Sequence, residues 1–389
     1  MVASDTTKNW SGTGQLRGGK SGIAFFIAAI RLLGPRFCYL LGIFPAIYFS
    51  FASPDVPATM DFHRRIFGPQ PWWKRRWLVF KHFWSFGRAL IDRTAILAGD
   101  ANKFSFTFDG EQHIHDAVAE GKGVLLLTAH VGNWEAAGQL LSRVKCPINV
   151  TGFDKEAPAI RAMLDRSANQ HFKLIPLTGA PTDAIQLVAA MRRGELVCMM
   201  GDRTYGSPSA NIPFLGGHAP FPIGGYVMAA IAGAPIVQVF SLREPGGHYH
   251  FFGFPPLRPH RPAHHERDAH LRACATQFAE RLETIVKRDP FQWYNFFPFW
   301  NETAKKSEGR SQKSDSTITH HAIPSPGLSA TLPLNQPGTF NVQYSTSNTQ
   351  GSPLDPSLSV ECSMLNVECS QGGTEKDGVR GAAPKPTAR

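Results

Sequence analysis

The chain has 389 residues and a formal net charge of +10 with neutral histidines. Eight Lys/Arg against seven Asp/Glu fall from Thr303 onward, so nearly all of the basic surplus belongs to residues 1–302. Such a surplus suits nucleic acid, an anionic membrane or an acidic protein partner, but no helix-turn-helix, zinc-finger or RNA-binding signature accompanies it, which sets nucleic acid aside. Six cysteines without a CxxC pair exclude a zinc ribbon or disulfide framework and fit a reducing compartment.

Residues 1–21 are rich in Gly, Ser and Lys and are expected to be disordered. Residues 22–54 are apolar except for Arg31 and Arg36, and Phe37 to Pro54 carry no charge. This is expected to be a hydrophobic membrane anchor, either a marginal span or an interfacial hairpin of two apolar helices broken at Gly34-Pro35. Next comes a basic-aromatic segment, His63-Arg64-Arg65 and Trp72-Trp73-Lys74-Arg75-Arg76-Trp77, the composition of a helix at headgroup depth. Positive charge on this flank predicts a cytoplasmic catalytic domain.

From Lys103 the pattern becomes α/β. Strands are expected at Phe104–Phe108, at Val124–Leu127, from Cys146 to Gly152, and from Phe172 to Pro176. Others follow from Leu196 to Met200, from Ile236 to Arg243 and from His250 to Phe254. Helices are expected from Gln112 to Ala119, from Pro158 to Gln170, from Thr182 to Arg193, and from Arg267 to Lys287, where Leu271, Cys274, Phe278, Leu282 and Ile285 fall at helical spacing. The alternation predicts a mostly parallel central sheet flanked by helices, with ligands at the carboxyl ends of strands. His260, His264, His265 and His270 lie in a proline-rich stretch without a Cys pair or HExxH, and read as a solvated linker rather than a metal site. Beyond Asn301 the chain is low in complexity and repeats Leu-x-Val-Glu-Cys-Ser; residues 303–389 are expected to be a disordered tail.

The run Val124 to Leu127 ends at Thr128, and Asn133 is a suitable N-cap for a following helix, so His130 falls on a strand-to-helix turn. On a continuous helix, residues five apart point about 140° from one another, and His130 could not meet Glu135; across a turn it can. A carboxylate on one imidazole nitrogen raises the basicity of the other, which can then deprotonate an attacking hydroxyl. The spacing also fits a polar strand-end histidine and a solvated first-turn carboxylate.

The string His130-Val-Gly-Asn133-Trp134-Glu135 resembles the His-x4-Asp/Glu motif of the bacterial lipid A biosynthesis late acyltransferases. Gly201-Asp202-Arg203-Thr204-Tyr205-Gly206 followed by Ile212-Pro213-Phe214-Leu215-Gly216 resembles that family's second block, although Arg203 and Thr204 depart from its usual residues. Pro290-Phe291-Gln292-Trp293 is similar to its closing element. The resemblance implies a glycerolipid-acyltransferase-like α/β domain over residues 55–302, with His130 and Glu135 catalytic. Asn133, Asp202, Arg203, Tyr205 and one of Arg161 and Arg166, here Arg166, would contact substrate.

No metal and no cofactor is implied beyond an acyl carrier protein or coenzyme A thioester as donor. The expected function is membrane-associated transfer of a fatty acyl chain to a hydroxyl of lipid A or another glycolipid, at the inner membrane. A water-activating thioesterase using the same dyad, and a non-catalytic membrane-surface adaptor, are the other readings of the same residues.

Overall fold

The structure, a computed structural model, describes residues 20–300 apart from 134–135, 137–140, 142, 154–171, 205–206 and 261–262. The expected terminal disorder and the helix expected from Pro158 to Gln170 therefore lie outside the described residues, the former but for Lys20 and Ser21.

Three helices precede the sheet: α1 (Lys20–Ala52), α2 (Val56–Phe67) and α3 (Trp72–Ala95). The expected break in the apolar segment is present, because Gly34 leaves helical geometry at φ 77° and ψ 164°. The α/β part then runs β1 (Ser105–Asp109), α4 (Gln112–Ala119), β2 (Val124–Thr128), β3 (Ile148–Phe153), β4 (Phe172–Leu177), α5 (Pro181–Arg192) and β5 (Leu196–Met200). A hairpin, β6 (Ser209–Phe214) and β7 (Gly217–Pro222), leads to α6 (Gly224–Ala232), β8 (Ile236–Glu244), β9 (His248–Gly253) and α7 (Arg267–Arg288).

Seven strands form one sheet in the order β1-β9-β8-β2-β5-β3-β4, and β6-β7 is a separate two-stranded unit. Every neighbouring pair in the large sheet is parallel except β8 with β9. The central strand β2, Val-Leu-Leu-Leu-Thr, is buried at every position, as a strand covered on both faces must be. Val124 and Leu126 enter one core with Val237, Val239 and Tyr249 of the sheet, Ile30 of α1, Ile91 of α3 and Ile114 of α4. The opposite face meets α6, where Gly225 lies against Leu125 and Leu127, and α7, whose Phe278 packs on Phe240 of β8.

The parallel register fixes the position of the site. Thr128 of β2 pairs with Met200 of β5, so residues two further along each strand emerge side by side at the carboxyl edge. Those residues are His130 and Asp202.

Candidate active site

The turn after β2 is held by hydrogen bonds from three directions. The His130 amide donates to Asp202 Oδ2 at 3.0 Å, the Gly132 amide to the Gln292 carbonyl at 2.8 Å, and the Tyr294 amide to the His130 carbonyl at 2.8 Å. The segment after α7 thus lies antiparallel along the turn, with a bridge between Val131 and Trp293. Gly132 adopts φ 62° and its Cβ position would lie 2.3 Å from the Ser241 carbonyl oxygen, so only glycine fits there. Asn133 caps the end of the turn: its Oδ1 accepts from the Ala136 amide at 3.3 Å, and its own amide donates to Ser241 Oγ at 3.1 Å.

His130 Nδ1 lies 2.8 Å from Asp202 Oδ1, with the imidazole one fifth exposed and the carboxylate buried. Burial alone would raise the Asp202 pKa, but the charge and hydrogen bonds of His130, together with nearby Arg203, bring it down to about 2. An ionised carboxylate only accepts hydrogen bonds, so the imidazole proton sits on Nδ1 and the lone pair of the neutral ring is on Nε2. Trp293 adds a third donor, its indole Nε1 reaching Asp202 Oδ2 at 3.2 Å.

Trp293 is fully buried and is fixed from behind. His82 Nε2 lies 2.9 Å from the Trp293 carbonyl and must donate to it. In a neutral ring this leaves His82 Nδ1 as the acceptor for His63 Nε2 at 3.1 Å. Desolvation pushes His63 down to about 2, helped by neighbouring His82. Desolvation likewise pushes His82 down to about 4, against the opposing hydrogen bond to Trp293. Phe62 and Phe214 close on the indole edge-on at 5.2 and 5.3 Å between centroids. Gln292 secures the segment: its Oε1 accepts from the Arg243 amide and its Nε2 donates to the Arg243 carbonyl, each at 2.7 Å.

The expected site residues are distributed unevenly in this geometry. Asp202 is the carboxylate on Nδ1 of His130, turned inward rather than toward a substrate. Asn133 is buried as a cap. Arg203 donates to the Tyr294 carbonyl at 2.9 Å and lies over the Phe297 ring, at the edge of the site. Glu135, Arg161, Arg166 and Tyr205 lie outside the described residues. The described amides of the turn, those of residues 130–133 and 136, all donate to protein acceptors, so they are not available to stabilise an oxyanion.

Trp293, Gln292 and Ser241 were not among the expected site residues. Trp293 and Gln292 belong to the Pro-x-Gln-Trp segment, which was the signal for them, whereas nothing in the sequence around Ser241 sets it apart.

A family model of the bacterial lipid A biosynthesis acyltransferases matches residues 17–302. The chain belongs to this family. Among curated proteins, the phosphatidylinositol mannoside acyltransferase of Mycobacterium tuberculosis (strain ATCC 25618 / H37Rv) is 24% identical over 212 residues, covering 54% of this chain and 64% of the relative. The phosphatidylinositol mannoside acyltransferase of Mycolicibacterium smegmatis is 24% identical over 190 residues, covering 48% and 60%. The chain thus spans less than two thirds of these relatives' lengths. Among solved structures, the 1-acyl-sn-glycerophosphate acyltransferase PlsC of Thermotoga maritima aligns over 64% of this chain and 98% of its own, with 11% identity and a TM-score of 0.32. Both mycobacterial relatives are acyltransferases by name. The family match takes in α1 (Lys20–Ala52) together with the α/β part that follows it.

Proposed function

We propose that this family member moves a fatty acyl chain from an acyl carrier protein or coenzyme A thioester to a hydroxyl of a membrane glycolipid. The observation that carries the reading is the Nδ1 bond of His130 to a buried, ionised Asp202. That bond fixes the tautomer and leaves Nε2 as the base.

His130 Nε2 takes the proton of the acceptor hydroxyl as its oxygen attacks the thioester carbonyl carbon. The tetrahedral intermediate collapses with cleavage of the C–S bond, and the imidazolium returns its proton to the leaving thiolate. The products are the acylated lipid and a free thiol. Asp202 stabilises the transient imidazolium and holds the ring in register. Glu135 is proposed as a second catalytic carboxylate whose negative charge favours the imidazolium, and Arg166, Arg203 and Tyr205 are proposed to bind substrate.

A glycolipid acceptor is supported by the mycobacterial relatives' names, and lipid A itself by the family's. The apolar α1, of which Leu32–Ala52 is long and apolar enough to cross a bilayer, supports a membrane location, and the positive charge that follows it is the reason for proposing the cytoplasmic face of the inner membrane. The test is product analysis with the full chain, an acyl thioester and a glycolipid acceptor. Acyl-lipid formed only when acceptor and His130 are both present is the expected result. Free fatty acid released at one rate with or without acceptor would replace the transferase by a hydrolase.

A further inference from the structure

The apolar part of α1 is long enough to span a bilayer, yet its packing argues for a different placement. Its second half runs antiparallel along α3. Tyr39 bonds to Asp92 at 2.5 Å, Gly42 lies against Ile91, Phe49 stacks on Phe83, and Arg76 donates to the Ser50 carbonyl at 3.1 Å. The inward stripe, Cys38, Gly42, Ala46 and Ser50, is small and buried, allowing close approach. Before the break at Gly34, Ala29 and Ile30 enter the same core as the central strands.

A spanning helix could not keep these contacts. Asp92 is fully buried, its Oδ2 accepting from Arg243 Nε and from the Tyr249 hydroxyl, each at 2.6 Å. Tyr39, its third donor, lies within the apolar window Leu32–Ala52. Sending that window across a bilayer would carry this charged group, and the sheet packed behind α3, into hydrocarbon, or strip it of Tyr39.

The outward face has the opposite character. Phe37, Leu40, Phe44, Tyr48 and Phe51 are exposed at helical spacing, Phe44 by 71%, and Leu33 is exposed just before the break. At the Phe51 end the strip continues into α3, where Arg76 lies over the Phe51 ring and Trp72, Trp73 and Trp77 are exposed. Lys74 and Arg75 stand exposed between the tryptophans. Aromatic rings interleaved with cations suit the headgroup layer of an anionic membrane.

We infer that α1 does not cross the membrane but lies in its plane, seating the catalytic domain on the bilayer through one face shared by α1 and the start of α3. This rests on the membrane reading above and names the surface that performs it. The occupant is a bilayer containing anionic lipid.

The test uses the full chain with an environment-sensitive dye attached at Leu33→Cys, Leu40→Cys or Phe51→Cys, added to preformed phosphatidylcholine vesicles with or without phosphatidylglycerol. Lipid-borne quenchers at graded depths should place all three dyes equally shallow. The double variant Lys74→Gln/Arg75→Gln should lose binding several-fold on the anionic vesicles, with little change on neutral ones. Dyes at graded depths, with Leu40 or its neighbours deepest, would overturn the in-plane seat while leaving membrane association standing. No vesicle binding, with the dyes shielded in a dimer, would overturn both and assign the face to a second copy. None of these readouts depends on catalysis, so a chain that fails to transfer acyl groups still tests the seat.

Discussion

The indole Nε1 of Trp293 donates to the same Asp202 oxygen that receives the His130 amide. The proposed base therefore depends on a residue 163 positions away in sequence, held by α2 and α3 through His63 and His82. Replacing Trp293 by Phe removes one donor from a buried carboxylate and should lower kcat/KM about tenfold, the scale of a hydrogen bond to a charged group. A carboxylate with fewer donors attracts the His130 proton more strongly, so the acid limb of the pH–rate profile should move upward. A variant merely less stable, with an unmoved limb, would give Trp293 a packing role alone.

Asp202→Asn tests the tautomer. An amide nitrogen facing Nδ1 would favour the proton on Nε2, where the base is needed, and kcat should fall on the order of 10³–10⁴-fold, as in other His–Asp pairs. Retained activity with an intact fold would remove Asp202 from the mechanism.

Gly132→Ala should be far more damaging than Gly233→Ala. Both positions have positive φ, but a Cβ at Gly233 meets nothing within 4 Å, whereas at Gly132 it lies 2.3 Å from a carbonyl oxygen. Left-handed strain alone costs about 1 kcal/mol, and the clash at Gly132 should bring the loss to about 3 kcal/mol. Urea denaturation of the two variants reads the difference. Equal losses would show that the turn relaxes freely.

The His63–His82 pair should make the fold acid-sensitive. Both imidazoles are neutral in the folded chain, at about 2 and about 4, and titrate near 6.5 when unfolded. Below 6.5 the unfolded chain binds more protons, so stability is full above that pH. It should fall by about 1.4 kcal/mol per pH unit for each imidazole as the pH drops toward 4. The double variant His63→Asn/His82→Gln should flatten the dependence of the denaturation midpoint between pH 7 and pH 5. An unchanged slope would place the acid sensitivity elsewhere.

Much of the α/β frame was legible because its strands are short aliphatic runs between helices. The helix expected from Gln112 to Ala119 and the strand from Leu196 to Met200 match the structure residue for residue. The β6-β7 hairpin was not read, since Pro213, Pro220 and Pro222 argue against strands. A two-stranded ribbon leaves one edge of each strand unpaired, where proline is tolerated. Helix α6 was hidden by Gly224 and Gly225, and Gly225 sits against Leu125 and Leu127 of β2.

At the site, the sequence showed that a histidine ends a buried strand and needs a carboxylate. Local spacing drew attention to Glu135, five residues on and outside the described residues. Asp202 was expected as a substrate contact. Its place on Nδ1 comes from the parallel register of β2 and β5, and pairing between distant strands is not written in local spacing.

The most direct test of the proposed transfer is lipid mass spectrometry on cells expressing the full chain against His130→Ala, in a host that makes candidate glycolipid acceptors. The expected result is a glycolipid heavier by one fatty-acyl group only with intact His130. No acyl difference, with both proteins folded and membrane-bound, would contradict it.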